Sequence, residues 1–281
     1  MLSTTFRGFS TKAAVVSSTS VYTSEFFDHI RQQVYGDPKK VDKVVVNVVH
    51  DENTPILLNR NVSTGHNALN HVSKHLADDA VLIDVEPKHG GAYIASVNQP
   101  LQDQADVKKI DFSTLQYSKL VNDAYWRSCS LVTAAVLKES LNVQLEITFP
   151  EIDVNSGFFT VELEGLNGNA LSVEELNAVN RVAKAFIKNS KDFEVLSIPS
   201  ELNNEVPSNY LVRVGSHVFP TDSHVIRSTS QIGRFSIVQS KSSGIESVSV
   251  GGVSLPFALP TSSYSWSLIV KNALQKYQKS T

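Results

Sequence analysis

The chain has 281 residues, of which 41% are hydrophobic and 19% charged, and its formal net charge is -3 at pH 7. This composition is typical of a folded protein with one large or two small domains, and it excludes a disordered or fibrous chain. A net negative charge excludes a broadly basic coat for nucleic acid. The single cysteine, Cys129, excludes an internal disulfide framework. No run approaches the roughly 18 uninterrupted apolar residues that a membrane helix needs.

The first 24 residues contain no aspartate or glutamate, and they carry Arg7 and Lys12 among many serines and threonines. A basic, acid-free segment of this kind is typical of a mitochondrial targeting sequence, because it can respond to a negative-inside membrane potential. The alternative is a disordered tail that happens to lack acidic residues. In either case residues 1–24 are excluded from the fold. We expect the mature chain in the mitochondrial matrix.

The segment up to residue 112 predicts a helix and then one small sheet. A capped helix is expected from Thr23 to the glycine and proline at 36–38, and this helix with its linker occupies residues 25–40. The elements expected next are strands at 44–49, 56–58, 81–85 and 92–95, with an amphipathic helix from Thr64 after the second strand. Leu101 and Ile110 bracket a polar connection. A hairpin, a helix and further strands within residues 41–112 favour a β-grasp module, which is one small sheet covered by one helix.

Residues 113–281 predict a second domain that also mixes helices and strands. The expected helices are 120–141, 172–187 and 264–277, and the expected strands are 143–149, 157–163, 194–198, 210–214 and 235–238. Ser172 and Glu175 form a capping box at the start of the second helix. The glycines at 165–168 and 251–252 are expected to be turns, because neither set leads into the Lys-Ser/Thr helix of a phosphate-binding loop. The predicted fold class is therefore α+β.

The segment Ala124-Tyr125-Trp126-Arg127-Ser128-Cys129-Ser130-Leu131 and the order of elements around it resemble the amino-terminal region of threonyl- and alanyl-tRNA synthetases. In those enzymes a β-grasp module named TGS precedes an editing domain. The first helix of the editing domain carries His-x-x-x-His, which puts two ligands on one helical face, and a later Cys-x-x-x-His completes the site. The resemblance implies a TGS-like domain at 41–112 and an editing-like α+β domain at 113–281.

The residues that carry the chemistry in those enzymes are largely replaced in this chain. The first histidine position is Arg127, and the second is Leu131. The cysteine position is most nearly Thr221, and His224 matches the later histidine only if one residue is deleted. Leucine has no lone pair and arginine stays protonated, so neither can ligate a metal. The resemblance therefore implies a degenerate site with no catalytic residue, no metal and no cofactor.

A narrower likeness concerns two segments, 121–129 and Gly252-Val253-Ser254-Leu255-Pro256. Both are similar to segments of a family of synthetase-like proteins of the mitochondrial large ribosomal subunit, and this likeness runs from about residue 40 to 275. It implies a non-enzymatic structural protein that contacts large-subunit ribosomal proteins and, locally, rRNA, without a small-molecule substrate or a membrane. A chain that ends at Thr281 has no room for the catalytic domain of a synthetase, so an intact synthetase is not expected.

Two other functions stay open at this point. A freestanding trans-editing factor would hydrolyse mischarged Ser-tRNA and would need His224. A regulatory module with a TGS-like domain would bind a nucleotide or a protein away from the ribosome. Hydrolysis by the purified chain would favour the first of these, and unchanged ribosome profiles after depletion would favour the second.

The candidates for RNA contact are six basic residues: Arg227, Arg234, Lys241, Lys271, Lys276 and Lys279. No acidic residue follows Glu246, and such cations can bind phosphate without reading sequence. The alternative is that the last lysines complete the C-terminus of a helix.

Cys129 would be a reactive thiol only if its pKa were depressed, and a packed core residue is favoured. His71 and His75 are four residues apart and could share a metal, but solvated or capping histidines are favoured.

Overall fold

The computed structural model describes residues 22–39, 42–50, 53–141 and 143–279. These residues form six α-helices and twelve β-strands, so the predicted α+β class is confirmed. The predicted targeting segment lies outside the described residues, apart from its last three. The helices are α1 (Ser24–Tyr35), α2 (Gly65–Val72), α3 (Lys74–Asp79), α4 (Ser118–Ser140), α5 (Val173–Lys188) and α6 (Ser263–Lys279). The strands are β1 (Lys43–Val49), β2 (Thr54–Asn59), β3 (Leu82–Pro87), β4 (Tyr93–Ser96), β5 (Ala105–Ile110), β6 (Glu146–Thr148), β7 (Phe159–Glu164), β8 (Phe193–Ser197), β9 (Tyr210–Val214), β10 (His217–Thr221), β11 (Ile232–Ser242) and β12 (Ser247–Pro256).

Helix α1 has the ends that its sequence predicts. The Thr23 hydroxyl accepts a hydrogen bond from the Phe26 amide at 3.2 Å, and Gly36 ends the helix with φ of 79°. The buried side chains of α1 pack on the sheet β10-β9-β8, whose strands come much later in the sequence. This cluster contains Phe27, Ile30, Tyr35, Leu196, Ile198, Val206, Leu211 and Val218. The helix therefore belongs, by its contacts, with the later half of the molecule.

The first half of the chain forms a five-stranded sheet in the order β2-β1-β5-β3-β4. Strand β1 pairs antiparallel with β2 and parallel with β5. Helix α2 begins at a capping box formed by Thr64 and Asn67, and it lies against β1, β2 and β5. Ser73, in an extended conformation, separates α2 from α3. The predicted order of hairpin, helix and further strands is confirmed.

The polar connection predicted between Leu101 and Ile110 is wrong, because residues 105–110 form β5 near the centre of the sheet. The segment carries three charges in six residues, and this hid its strand character. Ala105, Val107 and Ile110 are buried. A neighbouring strand supplies a partner for one of the charges, since the side-chain amide of Asn47 donates to the Asp106 carboxylate at 2.7 Å.

Helix α4 is the central helix of the second half. Every residue from Arg127 to Leu137 is buried, because α5 and strands β7, β9 and β12 surround the helix. The hydroxyls within this stretch donate to carbonyls one turn earlier, from Ser128 to Ala124 at 2.7 Å and from Thr133 to Cys129 at 2.9 Å. Intrahelical bonds of this kind let small polar residues occupy a fully buried helix.

The other two sheets are antiparallel, with the orders β10-β9-β8 and β11-β12-β7-β6. The strand predicted at 143–149 is shortened to β6, and β10 and β12 were not predicted. The glycines at 165–168 form the expected turn, in which Asn167 has φ of 51°. The capping box of Ser172 and Glu175 at α5 is also confirmed.

The turn predicted at Gly251 and Gly252 is wrong, since both residues lie buried within β12. A Cβ atom at Gly252 would be 2.3 Å from Cζ of Phe159, and one at Gly251 would be 2.8 Å from the ring of Tyr277. Successive residues of a strand face opposite sides of the sheet. Both glycines therefore make room for an aromatic ring, one on each face.

The two halves meet along what we call the seam, a set of contacts between the first sheet and the elements after α4. Val81, Leu82 and Ile110 belong to the hydrophobic cluster of the second half. The Asn98 side chain donates to the carbonyls of Phe193 at 3.0 Å and Arg227 at 2.8 Å. The seam thus combines apolar contact with side chains that pair with backbone across it.

Candidate functional site

The four positions that the resemblance to synthetases indicated lie on α4, at the end of β10 and just after it. Arg127 and Leu131 are one turn apart on α4, Thr221 ends β10, and His224 follows three residues later. Leu131 is fully buried, and the Thr221 hydroxyl accepts a hydrogen bond from the Ser223 amide at 3.2 Å. The structure thus gives Leu131 a core role and Thr221 a turn role.

The guanidinium of Arg127 lies beside an aromatic ring, with Cζ 5.6 Å from the centroid of Phe149. The Phe149 ring also meets Phe219 of β10 edge-on, at 5.7 Å between centroids. Arg127 of α4 is thereby linked through Phe149 to β10. Nη2 of Arg127 donates to the Pro150 carbonyl at 3.1 Å.

The rest of the Arg127 side chain is poorly paired. Its Nε and Nη1 atoms are buried and have no hydrogen-bond partner among the described residues. No carboxylate in the described part of the chain forms an ion pair with it. Burial lowers the pKa of Arg127, although the charges of Asp222 and Asp123 oppose this. A desolvated cation at this position offers neither a metal ligand nor a general base.

His224 lies in the turn after β10, at the seam. Its ring centroid is 5.2 Å from that of Tyr210, and burial lowers its pKa below the ordinary value of 6.5. The next two amides are both held by hydroxyls, since Val225 donates across the seam to Ser96 at 3.0 Å and Ile226 donates to Ser128 of α4 at 2.9 Å. His224 is therefore a partly buried histidine in a structural turn.

Cys129 is fully buried, and burial raises the pKa of its thiol to about 12. The prediction of a packed core residue is confirmed. His71 and His75 are exposed, and Nε2 of His75 lies 3.4 Å from Asp79. Within residues 22–39, 42–50, 53–141 and 143–279, no group of three or more His, Cys, Asp or Glu side chains could hold a metal ion.

The six basic residues predicted as RNA contacts fall into two groups. Arg227 is 3.5 Å from both Asp78 and Asp192, and its side chain is only 11% exposed. Lys241 donates to the carbonyl of Tyr277 at 3.2 Å and lies over the ring of that residue. These two cations are held by intramolecular partners.

The other four are exposed and lie in or beside the C-terminal helix. Lys271, Lys276 and Lys279 are on α6, and Arg234 of β11 donates to the carbonyl of Thr261, just before that helix. Four of the six candidates thus lie on α6 or beside its start.

Sequence reasoning missed the apolar residues on that same region. Phe257 is 74% exposed and Tyr264 75% exposed, and Leu259 and Leu268 are also exposed. The signal was present in Phe257-Ala258-Leu259, an apolar run enclosed by Pro256 and Pro260 and without helical or strand periodicity. Prolines on both sides are typical of a loop, and apolar side chains exposed together on a loop mark a site of interaction.

Among the residues that the structure describes, no helix has the length and apolar character needed to cross a membrane.

Comparison with known proteins finds a similarity to a ribosomal protein. No family model matches the chain. The chain is similar to the large ribosomal subunit protein mL39 of Drosophila melanogaster, with 25% identity over 223 residues. The alignment covers 69% of this chain and 64% of that protein, so the chain spans less than two thirds of its relative's length. This similarity agrees with the resemblance to large-subunit ribosomal proteins that segments 121–129 and 252–256 indicated.

Proposed function

We propose that this chain is a structural component of the mitochondrial large ribosomal subunit. In this role it supports mitochondrial translation by holding contacts to ribosomal proteins and to rRNA, and it catalyses no reaction. The observation that carries the proposal is the similarity over 223 residues to a protein whose name assigns it to a large ribosomal subunit. The acid-free segment 1–24 supports delivery to the mitochondrial matrix.

The degenerate positions support the absence of chemistry. Editing of a mischarged tRNA by the related enzymes depends on histidine and cysteine side chains. Here Arg127 is a buried cation against Phe149, and Leu131 is part of the core. The remaining histidine, His224, has its Nδ1 buried and without a partner among the described residues. These surroundings favour a scaffold over a trans-editing factor.

The architecture supports a derivation from a synthetase amino-terminal region. We assign residues 41–112 to a TGS-like β-grasp domain, because a hairpin, a helix and a parallel β1–β5 pair fit that module. We assign residues 113–281 to an editing-like domain built around α4. This division is supported by the change from one mixed sheet to two antiparallel sheets.

We assign local rRNA contact to the exposed cations beside and on α6, namely Arg234, Lys271, Lys276 and Lys279. No acidic residue lies between positions 247 and 281, so a phosphate near this helix meets no carboxylate from it. Lysine and arginine bind phosphate mainly through charge, and this binding weakens as salt rises. Arg227 and Lys241 are assigned to positioning, because both are engaged within the chain.

The test is sedimentation of a mitochondrial lysate from cells that carry the tagged chain. We expect the chain to travel with the large subunit at moderate salt. A free peak of low mass under the same conditions would contradict the proposal.

The assigned RNA contact has its own test in the same assay. The triple change of Lys271, Lys276 and Lys279 to glutamate should release more of the chain as salt is raised. The matched control is Lys184→Glu with Lys188→Glu, two exposed lysines on α5. Equal release of both variants would contradict the assignment.

A further inference from the structure

Exposed apolar side chains are concentrated before and along the start of α6. The described residues include twelve large hydrophobic side chains that are exposed, and four of them lie between positions 257 and 268. We call these four residues the docking strip: Phe257, Leu259, Tyr264 and Leu268. Contiguous exposed apolar groups rimmed by polar residues mark sites of protein interaction, and aromatic side chains are enriched at such sites.

The first two residues of the docking strip border a groove between the two halves of the molecule. The groove has a volume of about 970 Å³, and Phe257 and Leu259 form part of its wall. We call it the seam groove, and its other walls come from α3, from the turn after β5, and from the segments before β8 and β11. These remaining lining residues are Lys74, Asp78, Asp79, Asp111, Phe112, Ser113, Ser190, Asp192, Ala258 and, in the segment before β11, Arg227, Ser228, Ser230 and Gln231.

The seam groove carries excess negative charge. Its four aspartates, Asp78, Asp79, Asp111 and Asp192, face two cations, Lys74 and Arg227. Lys109 adds a third cation, 2.7 Å from Asp111, and the carboxylates still outnumber the cations. Burial would raise the pKa of Asp111, but hydrogen bonds from Lys109, Ser113 and Thr114 outweigh this and hold the pKa at about 2.

Two of these carboxylates are also exposed to solvent, although each has one basic neighbour, Arg227 beside Asp192 and His75 beside Asp79. The side chain of Asp192 is 59% exposed and that of Asp79 is 44% exposed. A cationic side chain entering the groove would therefore meet accessible carboxylate oxygens, at a site where the surrounding protein reduces screening by solvent.

The opposite end of the docking strip has the opposite charge. Leu268 is followed by Lys271 on the same helix. The strip is thus apolar in the middle, negative at the groove and positive along the helix. A nucleic acid strand along the whole strip is disfavoured, because its phosphates would be repelled by the groove carboxylates. A polypeptide can match both ends and the apolar middle.

We propose that the docking strip and the seam groove together bind one segment of a partner protein. Apolar side chains of that segment pack on Phe257, Leu259 and Tyr264, and a lysine or arginine of the segment enters the groove. This inference deepens the proposed function. That the partner is a ribosomal protein rests on the proposed function. The chemistry of the surface is independent of it.

The test measures fluorescence anisotropy of three labelled probes with the purified chain. The probes are a short peptide alternating lysine with leucine, the same peptide with glutamate for lysine, and a short uridine RNA. We expect the lysine peptide to bind at least about tenfold more tightly than either of the others, a ratio of roughly 1.4 kcal/mol.

Two variants locate the binding. The double change Phe257→Ser with Leu259→Ser should weaken binding of the lysine peptide about tenfold. Asp79→Asn should weaken it less, with a smaller difference at high salt. Ile245→Ser is the matched control, since Ile245 is 95% exposed on the turn between β11 and β12, and it should change nothing. The residues changed in all three variants are exposed, so each variant should unfold at the same temperature as the parent chain.

Three results would overturn the inference: no binding of the lysine peptide, equal binding by the parent and the double variant, or tighter binding of the RNA or the glutamate peptide. Peptide binding without sedimentation on the large subunit would instead reject the proposed function and leave the surface in place. Sedimentation with the large subunit but without peptide binding would reject the inference about this surface and leave the proposed function in place.

Discussion

Gln231 at the seam and Arg127 on α4 are both 7% exposed, yet the polar atoms of Gln231 are hydrogen-bonded and most of those of Arg127 are not. Gln231 donates from Nε2 to the carbonyls of Ala80 at 2.8 Å and Asp78 at 3.4 Å, and its Oε1 accepts from the Arg227 amide at 3.0 Å. Arg127 makes one hydrogen bond, to Pro150, and leaves Nε and Nη1 without a partner among the described residues.

The difference shows where this chain derives stability. A buried polar group that is fully paired stabilises the fold modestly, whereas an unpaired one carries its desolvation cost. Paired side chains such as Gln231 and Asn98 therefore hold the two halves together at the seam, whereas the surroundings of Arg127 are held by apolar residues. Leu131 and the Phe149–Phe219 contact supply that apolar packing.

The largest effect should come from the apolar part of the degenerate site. Leu131→Ala removes a fully buried side chain and should lower the free energy of unfolding by about 3 kcal/mol, through lost burial and a cavity. Urea unfolding followed by circular dichroism measures this. Leu115→Ala, at a position 85% exposed, is the control and should have little effect. A loss below about 1 kcal/mol would show that α4 is not packed as described.

The second largest loss of stability should come from a change at the seam. Gln231→Leu leaves the buried Ala80 carbonyl and the Arg227 amide unpaired, which should cost about 2 kcal/mol in the same assay. Gln275→Leu on the exposed part of α6 is the matched control. If both variants unfold like the parent chain, the pairing at the seam does not stabilise the fold.

Arg127 should matter much less for stability. Arg127→Met gives up one hydrogen bond and the contact with Phe149, but it also removes a desolvated charge with two unpaired nitrogens. The net change in unfolding free energy should lie within about 1 kcal/mol of zero. A loss as large as that of Gln231→Leu would mean that Arg127 is well paired, and it would break the comparison.

The smallest effect concerns protonation of His224. Burial lowers the pKa of His224, so the native state binds a proton less readily than the unfolded chain, whose histidines titrate near 6.5. Stability is therefore fully present above pH 6.5 and is lost as the pH falls toward the lowered native value. His66 and His217 act in the same direction. His224→Gln should make unfolding free energy less dependent on pH across this window, and an unchanged dependence would contradict the assignment.

Local signals in the sequence predicted much of the fold. The cap at Thr23, the capping box of Ser172 and Glu175, and the burial of Cys129 all depend on residues close together in the chain or on residue type. Strand β5 was missed because it carries three charges in six residues, and Asn47, which pairs with Asp106, is distant in sequence. Gly251 and Gly252 were read as a turn because the rings that need their space, Phe159 and Tyr277, are distant in sequence.

The candidate site was predictable only in part. The resemblance to synthetases located Arg127 and Leu131 on one helix, and that placement is confirmed. The surroundings of Arg127 were not predictable, since Phe149 and Pro150 reach it from beyond the end of α4. The docking strip was missed because an exposed apolar loop has no periodicity to reveal it.

The most direct test of the central claim, a structural role without chemistry, is the amount of assembled large subunit in cells depleted of the chain and rescued with His224→Ala. Depletion should reduce the large-subunit peak in a sucrose gradient. Rescue by the variant should match rescue by the parent chain, because a scaffold does not need the one surviving histidine of the degenerate site. An unchanged peak after depletion would contradict the account, as would failure of a normally folded His224→Ala chain to restore it.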